Sequence, residues 1–288
     1  MRRNIDLVVF LCCALIVFAI CLEPLEERVI PDTWAQIRQE ETIRIGFSYE
    51  PPHAYLDAQG EPTGEAIETA RQVVAGMGIK NIDWRMRDFA TLLDRLQQRE
   101  FDVVAASMYM TPQRRRRVAF SNPSLQLLPG LLVKAGNPLR IHSYEDLGRI
   151  PGVRIVALDG GVETGILQEV GISSRSVTLV QNIDLGVSAM IADQADVFPL
   201  TAYTARRIID NERSPRYELA NPFTLPQMLI SDRFNCGFAF RKEDVALQSA
   251  WNHVQRGIIG SPAHLAILDR FELGRECLPG GGRRYGHE

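Results

Sequence analysis

Apolar positions along this chain follow two periods. Alternation of period two marks Thr42–Phe47 (TIRIGF) and Cys236–Arg241 (CGFAFR) as strands. Short apolar runs at Val103–Ala106, Leu131–Val133, Val153–Leu158, Val177–Val180 and Asp196–Leu200 predict further strands. Ile67, Ala70, Val74 and Met77 recur at helical spacing and predict an amphipathic helix closing at Gly78. Leu92, Leu93 and Leu96 mark a second helix, and Glu163–Glu169 and Leu185–Ile191 two more. Leu247, Trp251, Val254 and Ile258, then Leu265, Leu268 and Phe271, mark the last pair. Gly and Pro punctuate between them, as at Glu50-Pro51-Pro52, Asp57-Ala58-Gln59-Gly60, Gly136-Asn137-Pro138 and Gly160-Gly161. Strands alternating with helices, in two successive series, predict an α/β fold with mainly parallel sheets.

Length and composition narrow the class. At roughly 150 residues per domain, 288 residues suggest two lobes. Apolar residues at 45% and charged residues at 23% exclude a disordered chain, a collagen and a polytopic membrane protein. A net charge of −3 provides no basic field for nucleic acid. Residues 1–22 stand apart: Arg2 and Arg3 precede the uncharged stretch Leu7–Leu22, a basic then apolar pattern that exports a chain. Cleavage as a signal peptide, retention as an anchor and lipidation at Cys21 all remain open. Each places the protein outside the cytoplasm, in the periplasm of a double-membraned cell, and retention would tether it to the membrane. Of the five cysteines, Cys236 and Cys277 lie beyond this segment. In an oxidising compartment such a pair reads as one disulfide, with two buried thiols as the alternative. The tail 279–288, rich in glycine and charge, is expected to be flexible.

The familiar catalytic constellations are absent: the chain has no GxSxG, HExxH, Walker loop or GxGxxG. His53, His142, His253, His264 and His287 are scattered without metal spacing, so neither metal nor cofactor is expected. Chemistry concentrates in Phe101–Ser124 (FDVVAASMYMTPQRRRRVAFSNPS), where a buried strand runs into a polar turn carrying four arginines. Ligands of open α/β sheets sit beyond the carboxyl ends of strands. Ser107, Tyr109, Thr111 and Arg114 therefore fall where a small ligand would be met. A guanidinium offers a planar fork for a carboxylate, and that role is assigned to Arg114. Arg115, Arg116 and Arg117 read as a solvated charge run.

These motifs resemble the family 3 extracellular solute-binding proteins of ABC importers. The likeness rests on Asp102, the turn Thr111 to Arg114, Phe120-Ser121-Asn122-Pro123, Lys134–Leu139 (KAGNPL), Ser143–Leu147 (SYEDL) and Gly237–Lys242 (GFAFRK), and covers about residues 38–275. It implies a two-lobe periplasmic-binding-protein fold of type II, the Venus-flytrap, with two hinge crossovers, near Val133–Pro138 and Asp232–Gly237. Lobe one would be 41–132 plus 238–273, and lobe two 139–231. In particular the chain resembles ectoine/hydroxyectoine-binding proteins, through Glu50-Pro51-Pro52, Tyr109 five residues before Arg114, and the cysteine before the Gly-x-Ala-Phe-Arg strand.

The resemblance implies that Arg114 takes a ligand carboxylate, that Glu50 takes a cationic nitrogen, and that Phe89 and Tyr109 are aromatic walls suited to cation–π contact. Three positions depart from the pattern. Thr201 stands where amino-acid binders carry an Asp for the α-amino group. Val162 stands where a Ser or Thr caps the lobe-two helix, leaving Thr164 or the Glu163 backbone N–H to substitute. His53 stands where ectoine binders carry Phe, which keeps a flat ring and adds a titratable proton. The expected function is that of a monomeric receptor, not an enzyme, that hands a small zwitterionic solute to ABC permease subunits. A periplasmic dehydratase-type enzyme on the same scaffold and a membrane-tethered sensory domain are the alternatives.

Overall fold

The computed structural model describes residues 32–212, 216–225 and 234–280. The proposed leader 1–22, the tail from Gly281 and, of the second crossover, Asp232 and Arg233 lie outside the described residues. No helix among the described residues is long and apolar enough to cross a membrane.

Two sheets carry the fold. Helix α1 (Thr33–Glu40) leads into β1 (Thr42–Phe47), and a small hairpin of β2 (Tyr55–Leu56) and β3 (Pro62–Thr63) precedes α2 (Glu65–Gly76). Then come β4 (Asn81–Met86), α3 (Leu92–Gln97), β5 (Val103–Tyr109), α4 (Pro112–Arg117), β6 (Ala119–Phe120) and β7 (Leu125–Gln126). The chain next enters its second half with β8 (Pro129–Lys134), α5 (Tyr144–Leu147), β9 (Ile155–Leu158) and α6 (Val162–Glu169). It continues through β10 (Val177–Val180), α7 (Ile183–Ile191), β11 (Val197–Thr201), α8 (Ala202–Glu212) and β12 (Tyr217–Leu219). It returns with β13 (Asn235–Phe240), α9 (Val245–Ile258) and α10 (Pro262–Arg270).

The first sheet has the order β4-β1-β5-β13-β6, with β7 also on β13; the second has the order β10-β9-β11-β8-β12. In both, the central pairs β1 with β4 and β5, and β9 with β10 and β11, are parallel. The strand that enters from the other half of the chain, β13 or β8, is antiparallel. This is the two-lobe arrangement expected, with two corrections.

The first concerns the boundary. Leu131 and Leu132 belong to the second sheet, because β8 pairs with β11 from Val197↔Val133 to Thr201↔Pro129. The first crossover therefore lies at Leu127–Leu128, between β7 and β8, and not at Val133–Pro138. Likewise Asn235–Gly237 is already strand β13 of the first sheet. Both shifts follow from strand pairing, which the apolar run LLV cannot disclose.

The second concerns the cysteines. Cys236 and Cys277 are free, buried thiols and form no bridge. Cys236 Sγ turns toward the Phe234 carbonyl at 3.7 Å, and the Cys277 thiol meets the Tyr203 hydroxyl. Burial pushes the Cys277 thiol up to about 12 and Cys236 well above the ordinary thiol range, so neither is an appreciable thiolate at neutral pH. Alkylation of non-reduced protein followed by peptide mapping should therefore label both positions only after unfolding. A linked Cys236–Cys277 peptide would contradict this.

Asp102, at the start of β5, serves the framework rather than the ligand. It is buried and takes a forked contact from Arg44 (Nε–Oδ2 3.0 Å, Nη2–Oδ1 2.6 Å) and a further bond from buried Arg241 at 3.1 Å. One carboxylate thus ties β1, β5 and the end of β13 together. Behind β13, Trp251 of α9 packs on Phe238 (4.8 Å between centroids) and Phe240 (5.6 Å), the apolar seam that the Leu247–Ile258 spacing predicts.

Candidate functional site

Parallel strands aim the candidate residues at one place. Glu50 follows β1, Phe89 follows β4, Ser107 and Tyr109 end β5, Val162 to Glu163 follow β9, and Thr201 ends β11. The carboxyl ends of the two sheets face each other, where α/β folds receive ligands. Nine of the eleven expected residues, Glu50, His53, Phe89, Ser107, Tyr109, Arg114, Val162, Glu163 and Thr201, line one cavity of about 20 Å³ with Leu127, Leu158 and Gly161. Thr111 and Thr164 lie instead on an adjoining chamber of about 280 Å³ that shares Arg114, Gly161 and Val162.

Arg114 is placed by local geometry. Thr111 caps α4, its Oγ1 accepting the Arg114 N–H at 3.2 Å, and Pro112 fits the first turn. This leaves the Arg114 side chain 9% exposed, while its neighbours reach the surface. Arg117 pairs with Asp94, and Arg115 donates to the Met110 carbonyl at 3.0 Å. The Arg114 fork donates to the Tyr109 carbonyl at 3.0 Å within its own lobe and to the Gly160 carbonyl of the other lobe at 2.9 Å. Its guanidinium lies 5.3 Å from the Phe89 ring centroid. One face of Phe89 therefore serves Arg114, and the ring also lines the cavity.

The lobes already touch at this point. Gly160 has φ +72°, and a Cβ built there would lie 2.7 Å from Ala90 Cα. Only glycine permits both that backbone conformation and that approach.

Two carboxylates face Arg114. Glu50 is fastened by its own backbone, which exchanges bonds with Ala54 (2.6 and 3.1 Å) and accepts from His53 N–H at 2.9 Å. Burial raises its pKa, partly offset by His53 and Arg114. Glu163, buried in the first turn of α6, folds back toward its own backbone N–H. Burial pushes it up to about 7, aided by the negative Glu50 and opposed by its backbone hydrogen bond and Arg114. Burial lowers Arg114, while Glu163 and Glu50 pull it upward. A guanidinium remains protonated under such shifts.

Beneath the cavity is a residue not anticipated from sequence. Glu65, wholly buried at the start of α2, accepts the Ser107 hydroxyl at 2.6 Å and lies 3.5 Å from His53 Nδ1. Ser107 adopts φ +40°, where β5 and β13 slip register. Neither ring nitrogen of His53, nor Glu65 Oε1, has a hydrogen-bond partner. Orphaned polar atoms on a cavity wall mark a place that a ligand or water completes. The other expected residues have inward duties. Tyr109 OH donates to the Leu127 carbonyl at 3.2 Å. Thr201 Oγ1 accepts the Thr204 N–H at 3.0 Å and donates to its hydroxyl at 2.9 Å. Thr164 donates to the Gly161 carbonyl at 2.8 Å.

The raised Glu163 has a stability consequence. Between about pH 4.5 and 7 the native carboxyl keeps a proton that the unfolded chain has released, so native stability falls as pH rises through that window. At about 1.4 kcal/mol per pH unit the loss is on the order of 3 kcal/mol. Glu163→Gln should melt like wild type at pH 4 and roughly 5 °C higher at pH 8. An unchanged difference between the two pH values would show that Glu163 is solvated.

Residues 43–272 match the family described as bacterial extracellular solute-binding proteins, family 3. A "Probable amino-acid ABC transporter periplasmic-binding protein y4tE" of Sinorhizobium fredii (strain NBRC 101917 / NGR234) is 33% identical over 224 residues, 76% of this chain and 73% of its own length. The lysine/arginine/ornithine-binding periplasmic protein of Escherichia coli (strain K12) is 24% identical over 219 residues, 74% of this chain and 80% of its own. Among solved structures, EhuB in complex with hydroxyectoine superposes with a TM-score of 0.78 at 25% identity, covering 84% of this chain and 93% of EhuB.

Proposed function

We build on one premise, that this chain belongs to the bacterial extracellular solute-binding proteins, family 3, and we propose that its cleft captures a small zwitterionic solute. It is the substrate-binding component of an importer, and such proteins deliver small ligands to ABC permeases. The observation that carries the solute class is the meeting of the buried Arg114 guanidinium with two carboxylates, buried Glu163 and half-buried Glu50, in a cavity between the lobes. Charges are removed from water at a cost of several kcal/mol each unless they are matched. A solute bearing a carboxylate for Arg114 and a cationic nitrogen for Glu50 supplies the match. With Glu163 protonated the three groups sum to zero, which suits a zwitterion.

EhuB binds hydroxyectoine, and the named relatives include an amino-acid and a lysine/arginine/ornithine binder. An ectoine-like compatible solute and an amino-acid derivative are the two forms that fit these charges. Thr201, committed to Thr204, offers no charge for an α-amino group, so Glu50 is given that task. A membrane-bound lytic murein transglycosylase F of Aeromonas hydrophila also matches, at 27% over 161 residues, yet this chain spans 31% of it. Pairing of opposite charges needs no covalent step, and we read the site as a receptor. We further propose that residues 1–22 export the chain.

A bound solute stabilises the folded form by mass action. A thermal-shift screen of the protein with ectoine, hydroxyectoine, amino acids, betaines and polyamines should give its largest shift with a zwitterion. Glu50→Gln should weaken cationic and zwitterionic hits more than tenfold and spare neutral compounds. Equal losses for both classes would remove Glu50 from the site.

A further inference from the structure

We propose that the cleft holds a second subsite, on the outer side of Arg114, which receives the polar arm of a two-part solute, so that the captured molecule is a dipeptide-sized amino-acid conjugate. This rests on the solute-receptor reading above and specifies its substrate class. The inner cavity, about 20 Å³, has room for about one water. The outer chamber, about 280 Å³, approaches the lower bound of small-molecule pockets, roughly 300 Å³.

A gaping cleft does not explain the larger chamber. The lobes are already in contact at Gly160 and Ala90, and Arg114 already bonds across them to Gly160. The chamber persists beside that contact. Arg114 lines both spaces, so a solute whose carboxylate or amide carbonyl rests on its fork can extend one arm inward and another outward.

The outer walls come from both lobes. Gln113 of α4 stands on one side, and Thr164 and Gln168 of α6 on the other, with Val162, Ile166 and Phe234 between. Primary amides and the Glu169 carboxylate beside aliphatic surface suit a polar arm, neutral or cationic, with some hydrocarbon, as a peptide-linked second residue provides. Gly165 opens onto this chamber: a Cβ built there meets nothing within 4 Å. Gly165→Leu should fill the space while improving helix propensity, so the variant tests the subsite without endangering the fold.

The experiment is calorimetric titration of the full chain and of Gly165→Leu with L-glutamine, L-arginine and ectoine, and with alanyl-L-glutamine and alanyl-L-arginine. The conjugates should bind at least tenfold more tightly than the parent solutes, and Gly165→Leu should abolish that advantage while weakening the parents less. Binding of compact solutes with no gain for the conjugates would overturn the subsite and leave the receptor reading standing. Equal weakening of both series by Gly165→Leu would overturn it as well. Failure of every probe to bind would overturn both.

Discussion

Replacing Arg114 by Ala is expected to weaken solute binding by roughly 30- to 5,000-fold, the about 2–5 kcal/mol that follows when a desolvated charge loses its partner. The magnitude is large because the fork is buried and preorganised. Thr111 caps the helix that carries it, the Tyr109 carbonyl fixes one arm, and the Phe89 ring supports its face. Little side-chain freedom remains to be lost on binding. The substitution also removes the bond to Gly160, so part of the loss should appear as a wider cleft. Arg114→Lys separates the two contributions, since it keeps the charge and loses the planar fork; its affinity should fall between wild type and Arg114→Ala. Calorimetry on variants that melt like wild type is the measurement. Undiminished affinity in Arg114→Ala would remove this residue from recognition and with it the proposed solute chemistry.

The legible parts of this protein share a physical property: each is decided locally. Alternation in TIRIGF and CGFAFR, and the helical spacing of Leu247 to Ile258, exist because one side of each element is buried, and a one-residue slip would expose it. Strand β4, NIDWRM, alternates more faintly: Ile82 and Trp84 pack on the core opposite Asp83 and Arg85, but as an edge strand it buries no residue fully. Helix α8 is amphipathic, with Ala205 and Ile208 buried between arginines and acids, but its face is short and interrupted by charge. The place of β8 is a different matter. PGLLVK is a good strand in either lobe, and only its pairing with β11, some 60 residues onward, assigns it. Such non-local choices leave no mark on local pattern.

The site divides in the same way. Arg114 can be told from Arg115–Arg117 because it alone falls one turn after a Thr-Pro cap, on the inward side of a short helix. Glu65 carries no comparable mark. An acid in the first turn of a helix ordinarily complements the dipole at the surface, and nothing in EAIETA discloses that this one points into the protein. Its direction is set by Gly64, whose φ of +121° lets the helix start press against the His53 carbonyl, with Glu65 N–H bonded to the Pro52 carbonyl at 3.0 Å. A Gly before a helix is common, and the contact it permits is visible only in three dimensions.

Gly160 should prove the most sensitive position outside the charged groups. Valine there meets two independent objections. Its backbone would have to hold φ near +72°, a region that costs a β-branched residue on the order of 1–2 kcal/mol. Its side chain would run into Ala90 of the opposite lobe, backbone first, so no rotamer relieves the clash. The first effect lowers the stability of lobe two by itself. The second acts only on closure, because it vanishes when the lobes separate. Apparent affinity is the intrinsic affinity scaled by the closed fraction, so confining the closed form to about one molecule in a hundred would cost about 100-fold in Kd. Gly160→Val should therefore bind solute at least 100-fold more weakly and show a larger radius of gyration by small-angle X-ray scattering, with and without solute. Gly165→Ala, on the same lobe with open space at its Cβ, should change neither. If Gly160→Val scattered and bound as wild type does, the contact with Ala90 would not belong to the binding-competent state. Arg114 would then have to capture solute without reaching the second lobe.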